Sequence, residues 1–155
     1  MRPNKNNQLN QVCLKPGAVI NILNISEGTL RYWREHLDPR VDKRLFSGRD
    51  LLMYSVLNLM IRAEQIRVGD LEVHNWKQIF EFCSNSPMKI LMKCAVVFDA
   101  YTKSLFISKN EDEIDLEDNW LHCVKFRIAK KQIDRHLFHR AQDNIIYIDS
   151  IFKQN

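Results

Sequence analysis

Apolar residues recur every three or four positions from Ala18 to Cys83, every second position from Met92 to Ile128, and at helical spacing again from Ile133 to Ala141. In the first stretch, Lys15-Pro16-Gly17 opens a helix whose stripe is Ala18, Val19, Ile22 and Leu23, and Asn24-Ile25 makes a turn. Ser26 then starts a second helix, because its hydroxyl can accept from the first free amides. Leu30, Trp33 and Leu37 form the inner stripe of that helix. At about 100° per residue, Gly28, Arg31, Tyr32 and Glu35 point the other way, with Thr29 at the border. Pro39 stops this helix. Residues 40–46 read as a small hairpin with Asp42-Lys43 at its tip. Ser47-Gly48-Arg49-Asp50 is a capping-box-like start to a third helix. That helix is apolar on much of its circumference through Leu51, Leu52, Val56, Leu59, Met60 and Ala63, as suits a central core helix. Val68-Gly69-Asp70 breaks the chain, and residues 71–83 form a fourth, amphipathic helix with Trp76, Ile79, Phe80 and Cys83 inward.

Ser84-Asn85-Ser86-Pro87 ends that run and is the best domain boundary. Beyond it, Met92, Cys94, Val96 and Phe98 alternate as a strand, Tyr101-Thr102-Lys103 turns, and Ser104–Ser108 makes a second strand. Residues 111–118 hold six acids and read as a solvated loop. Trp120, His122, Val124, Phe126 and Ile128 give a third strand. A short helix holds Ile133, Leu137, Phe138 and Ala141, and Ile145–Asp149 is a last strand. The predicted fold class is α+β. A flexible tail (1–14) precedes an N-terminal winged helix-turn-helix of four helices plus a hairpin wing (15–86), and a small α+β domain of about four strands and one helix follows (88–155).

Charge sharpens this division. The net charge is +4, but residues 1–49 hold nine Lys/Arg against four Asp/Glu, while the rest of the chain holds fourteen against fifteen. A basic end joined to a neutral body suits a phosphate-binding module. Cys13, Cys83, Cys94 and Cys123 have neither C-x-x-C nor zinc spacing and read as reduced thiols. No stretch approaches 18 apolar residues, and the polar N-terminus lacks a signal core. The expectation is a cytoplasmic, nucleoid-associated protein with no membrane partner.

The order helix, turn, helix, basic hairpin, helix is a winged helix-turn-helix, whose second helix enters the major groove. Thr29-Leu30-Arg31-Tyr32-Trp33, Arg44-Leu45-Phe46-Ser47 with Asp50-Leu51, and Val68-Gly69 with Leu71-Glu72 resemble the DNA-binding domain of MerR-family regulators and related excisionase-like proteins, over residues 16–83. The resemblance implies that Arg31 and Tyr32 meet backbone and base edges and that Arg40, Lys43 and Arg44 grip flanking phosphates from the wing. The physics of the side chains agrees. Arginine forks match phosphate and guanine, and Gly28 lets a backbone approach closely. The candidate DNA-binding set is Ser26, Gly28, Thr29, Arg31, Tyr32, Arg34, Arg40, Lys43 and Arg44. Within it, Thr29 caps the helix or touches a thymine methyl, Tyr32 lies in the wing interface or reaches a phosphate, and Arg34 sits beside the Leu30–Leu37 edge. Trp33 reads as core. The long dimerisation helix and sensing segments of MerR activators are missing, so neither metal sensing nor promoter untwisting is implied.

Other chemistry finds little in the sequence. G-x-S-x-G, P-loop and H-E-x-x-H motifs are absent, so no enzyme, cofactor or metal site is expected. His136-x-x-His139 reads as part of a solvated helix face, which Lys130, Lys131, Arg135 and Arg140 make basic. The expected function is sequence-specific binding of double-stranded DNA by a transcriptional repressor, as a homodimer through the C-terminal domain. The alternatives are an excisionase-like or phage architectural protein, and a protein-interaction module that does not bind DNA.

Overall fold

A computed structural model describes residues 14–38, 46–114 and 120–140, with side chains to Arg135. Several expectations lie outside these residues: the tail with Cys13, the stop at Pro39, the hairpin with Arg40, Lys43 and Arg44, the second half of the acidic run, the side chains of His136, Leu137, Phe138, His139 and Arg140, Ala141, and the strand at 145–149. The described chain mixes helices with one antiparallel sheet, an α+β arrangement. The helices are α1 (Pro16–Leu23), α2 (Glu27–His36), α3 (Gly48–Arg62), α4 (Val68–Glu72), α5 (Trp76–Asn85), α6 (Met88–Leu91) and α7 (Phe126–Arg140). The strands are β1 (Ala95–Asp99), β2 (Ser104–Ser108) and β3 (Leu121–Lys125), in the order β2-β1-β3. Among the described residues no helix is long and apolar enough to cross a membrane.

α3 is the spine. Its capping box forms as the sequence predicts: Ser47 Oγ accepts from the Asp50 amide at 3.0 Å, and Asp50 accepts from the Ser47 amide at 2.9 Å. Every residue from Gly48 to Leu57 is buried, and α1, α5, α7 and β3 pack around it. A helix surrounded in this way cannot spare a polar face, so its polar residues serve its neighbours. Arg49, 1% exposed, donates through Nη1 to the carbonyls of Cys83 (3.2 Å) and Ser86 (2.8 Å) at the end of α5. Asn58 donates to the Leu23 carbonyl at 3.2 Å, and Arg62 to the Asn24 carbonyl at 2.8 Å, at the end of α1. Ser55 Oγ donates to the Ala129 carbonyl of α7 at 3.1 Å. The last carbonyls of a helix have no partner within it and carry partial negative charge, so two arginines and an amide are well suited to them.

Three element boundaries differ from the sequence reading. Val68–Glu72 does not break the chain but forms a short helix, and the break comes at residues 73–75. There Asn75 caps α5 by accepting from the Lys77 amide at 3.1 Å, while the Trp76 indole nitrogen donates to the Leu71 carbonyl at 2.8 Å. Residues 88–91 are one helical turn, so the first strand begins at Ala95 rather than Met92. This strand is central, and Ala95 through Phe98 are all buried, so the alternation in sequence does not separate a wet face from a dry one. The third strand ends at Lys125. Phe126 and Ile128 belong to α7, whose buried stripe is Phe126, Ala129 and Ile133.

One hydrophobic cluster runs from Leu14 to Ile133. It is continuous across residues 84–87, the expected boundary. Met88, Leu91, Val96, Phe98 and Val124 join Leu51, Leu57, Trp76 and Phe80 in the same core.

Candidate nucleic-acid interface

α2 is seated by local chemistry at its start and by packing along one side. Ser26 Oγ accepts from the Thr29 amide at 3.0 Å and shares a 2.8 Å hydrogen bond with the Thr29 hydroxyl. Both hydroxyls are therefore engaged at the cap. Leu30 and Trp33 are 3% and 2% exposed, and the indole of Trp33 stacks on Tyr54 of α3 with ring centroids 6.4 Å apart. Tyr54 in turn donates to the buried carboxylate of Asp38 at 2.9 Å. These contacts fix the rotation of α2 about its own axis and so decide which residues face out.

The outward side chains are those the helical angle predicts. Arg31 projects into solvent, 69% exposed, with Glu27 3.7 Å away as its ion-pair partner. Gly28 is exposed, and a Cβ there would meet only Ser26 Oγ, at 3.9 Å. Nothing within the fold demands a glycine at this position. Tyr32 is 42% exposed, and its hydroxyl donates to the Glu72 carboxylate of α4 while its ring lies 4.2 Å from that of His36. The bond to Glu72, and then burial, raise the Tyr32 pKa, since ionising the phenol would set two negative charges together. Arg34 is half-buried, its guanidinium 5.2 Å from the centre of the Phe46 ring.

Arg31 and Arg34 share a groove of about 730 Å³ with Pro16 and Gly17 at the start of α1. No side chain caps that start. The groove also holds Glu27, Glu35 and Asp38. Asp38 and Phe46, which bound residues 39–45, both line it, and Phe46 is pinned to Leu14 by paired backbone hydrogen bonds of 2.6 and 2.8 Å. Arg40, Lys43 and Arg44 lie between Asp38 and Phe46 in sequence, outside the described residues.

Two contacts here were not legible in the sequence. Glu72 holds Tyr32 from 40 residues away, and Asp38 is turned inward onto Tyr54. α4 carries a second tie: Asp70 meets the ammonium of Lys103, in the β1–β2 turn, at 3.4 Å. Elsewhere, burial pushes the thiols of Cys94 and Cys123 up, which favours their protonated form. Among the described residues no three His, Cys, Asp or Glu side chains gather around a possible metal position.

Compared with protein-family models, with curated proteins and with solved structures, the chain matches none.

Proposed function

We propose that this chain binds double-stranded DNA sequence-specifically, with α2 in the major groove, and regulates transcription by occluding its site. The reading rests on one observation: α2 is locked by the Trp33–Tyr54 stack so that Arg31 points outward beside the start of α1. Helix α1, a turn at Asn24 and α2 form the helix-turn-helix, and residues 39–45 are its wing. This is the arrangement implied by the resemblance of residues 16–83 to the MerR family. Two arginine guanidinium groups suit phosphate oxygens. The Glu27–Arg31 pair opens at little cost, because exposed ion pairs are worth about 0–1 kcal/mol. Arg40, Lys43 and Arg44 add the cationic excess that the described groove lacks. Two copies on two half-sites would supply the specificity that one short helix cannot.

Selection from a pool of random duplexes tests this reading. The expected result is a defined motif with two half-sites. Lys43→Ala should weaken all sequences alike and lower the salt slope by about one. Failure to enrich any motif, with equal binding to competitor DNA, would exclude specific recognition. Glu27 and Glu35, which flank Arg31 on the same face, favour one second reading, a protein-interaction module on the same scaffold. In that case no duplex binds even at low salt.

A further inference from the structure

β2 is the outermost strand of the sheet: β1 lies on one side of it, and no strand lies on the other among the described residues. An unpaired edge offers a row of amides and carbonyls to another chain, and proteins normally blunt such edges with proline, charge or a bulge. β2 has none of these. Ser104-Leu105-Phe106-Ile107-Ser108 contains no proline and no charge, and its register with β1 runs through all five pairs without interruption. Leu105 and Ile107 pack against the core, whereas Phe106, at the centre of the edge, is 47% exposed.

The strand also reads almost the same in both directions. If a second copy pairs antiparallel about a two-fold axis at Phe106, Ser104 faces Ser108 of the second copy, Leu105 faces its Ile107, and Phe106 faces its own counterpart. Hydroxyl meets hydroxyl, aliphatic meets aliphatic and ring meets ring, the self-complementarity that a two-fold interface requires. The flanking lysines, Lys103 of each copy against Lys109 of the other, are the like charges such an arrangement brings near, twice by symmetry. Lys103 is drawn away from the edge: its φ of 59° takes it out of the strand, and its ammonium lies 3.4 Å from Asp70 and 5.9 Å from the centre of the Phe98 ring.

We propose that two copies of this chain join β2 to β2 in antiparallel fashion about Phe106, making one continuous sheet from the three described strands of each copy. The pairing gives a route to the two-copy binding described above and rests on that reading only for its purpose, since it forms without DNA. Five residues per copy make a small interface, so the association is concentration-dependent and reversible.

Position 106 is the only one that a single cysteine can test. On the axis, directly opposite α-carbons lie about 4.5–5.5 Å apart, within disulfide range, whereas a lone cysteine at 104 meets position 108 of the other copy. In full-length protein with Cys13 and Cys123 changed to serine, Phe106→Cys should become mostly cross-linked dimer with oxidised glutathione. Ser104→Cys should stay uncross-linked, and Ser104→Cys with Ser108→Cys should cross-link. Sedimentation of the unmodified chain should show mass rising towards two chains with concentration. Phe106→Asp, folded by circular dichroism, should remain a single chain. A full-length monomer at every concentration, or cross-linking at position 104 alone, overturns the pairing. Dimerisation that appears only when residues 141–155 are removed gives the edge to the chain's own C-terminal segment and overturns it equally. Gel-shift titration of the same samples reads DNA binding separately, so failure of one claim leaves the other measurable.

Discussion

Arg49 and Arg31 lie eighteen residues apart and have opposite fates. Arg49, in α3, is 1% exposed and bonds two carbonyls at the end of α5. Burial lowers its pKa, and its Nε and Nη2 are buried with no hydrogen-bond partner among the described residues. Arg31, in α2, stands in solvent with one exposed carboxylate for company. A guanidinium used as scaffold is desolvated and shut away from any ligand, even where part of its fork finds no partner. A guanidinium held loosely outside keeps its fork available. In this molecule the difference is imposed by packing: α3 is buried all round from Gly48 to Leu57, whereas α2 is held by one stripe and free on the other.

The comparison breaks if Arg49 proves dispensable. Arg49→Ala would leave the buried Cys83 carbonyl and the half-buried Ser86 carbonyl without their donor and a void at the α3–α5 junction, a loss of about 3 kcal/mol, read by urea denaturation. The mirror-image prediction is that Arg31→Ala leaves the denaturation midpoint almost unchanged and weakens duplex binding about tenfold in a gel shift, with some loss of sequence preference. A large stability loss at Arg31 would mean that it belongs to the scaffold. Ser26→Ala tests the seating of α2 itself: losing the cap should cost about 1 kcal/mol, seen as a small shift of the thermal midpoint.

The smallest effect is at Tyr32. Its folded-state pKa lies above that of a free tyrosine because its hydroxyl donates to Glu72. The bond therefore contributes fully at pH values below the ordinary tyrosine range of about 10, and its contribution disappears as pH rises through the higher folded value. Phenolate absorbance of Tyr32 should appear at lower pH in Glu72→Gln than in the unmodified chain. An unchanged titration would detach Tyr32 from α4.

What could be read from sequence here was what local chemistry determines. Ser26 and Ser47 cap α2 and α3, because the cap and its partner are three residues apart. The inward Trp33 and outward Arg31 follow from the helical angle alone. The end of β3 was obscured by Val124, Phe126 and Ile128, whose two-residue spacing continues across a turn into α7, where the same Phe126 starts a helical stripe. α4 was missed because five residues give no period to detect. The inward turn of Arg49 depends on carbonyls 34 and 37 residues away, and the hold of Glu72 on Tyr32 on a pairing across 40, neither of which any local pattern encodes. In the candidate interface, the α2 residues could be placed by angle, while Arg40, Lys43 and Arg44 lie outside the described residues.

The hydrogen bond from Ser55 to Ala129 has a consequence for how the protein is made. The two residues are 74 positions apart, so a ribosome working at about 5–20 residues per second releases the second roughly 4–15 s after the first. Throughout that interval the apolar girth of the spine helix has no C-terminal helix to lie against. The nascent chain must then be shielded, by the emerging sheet or by a chaperone, and premature termination anywhere before residue 133 would release a polypeptide prone to aggregate.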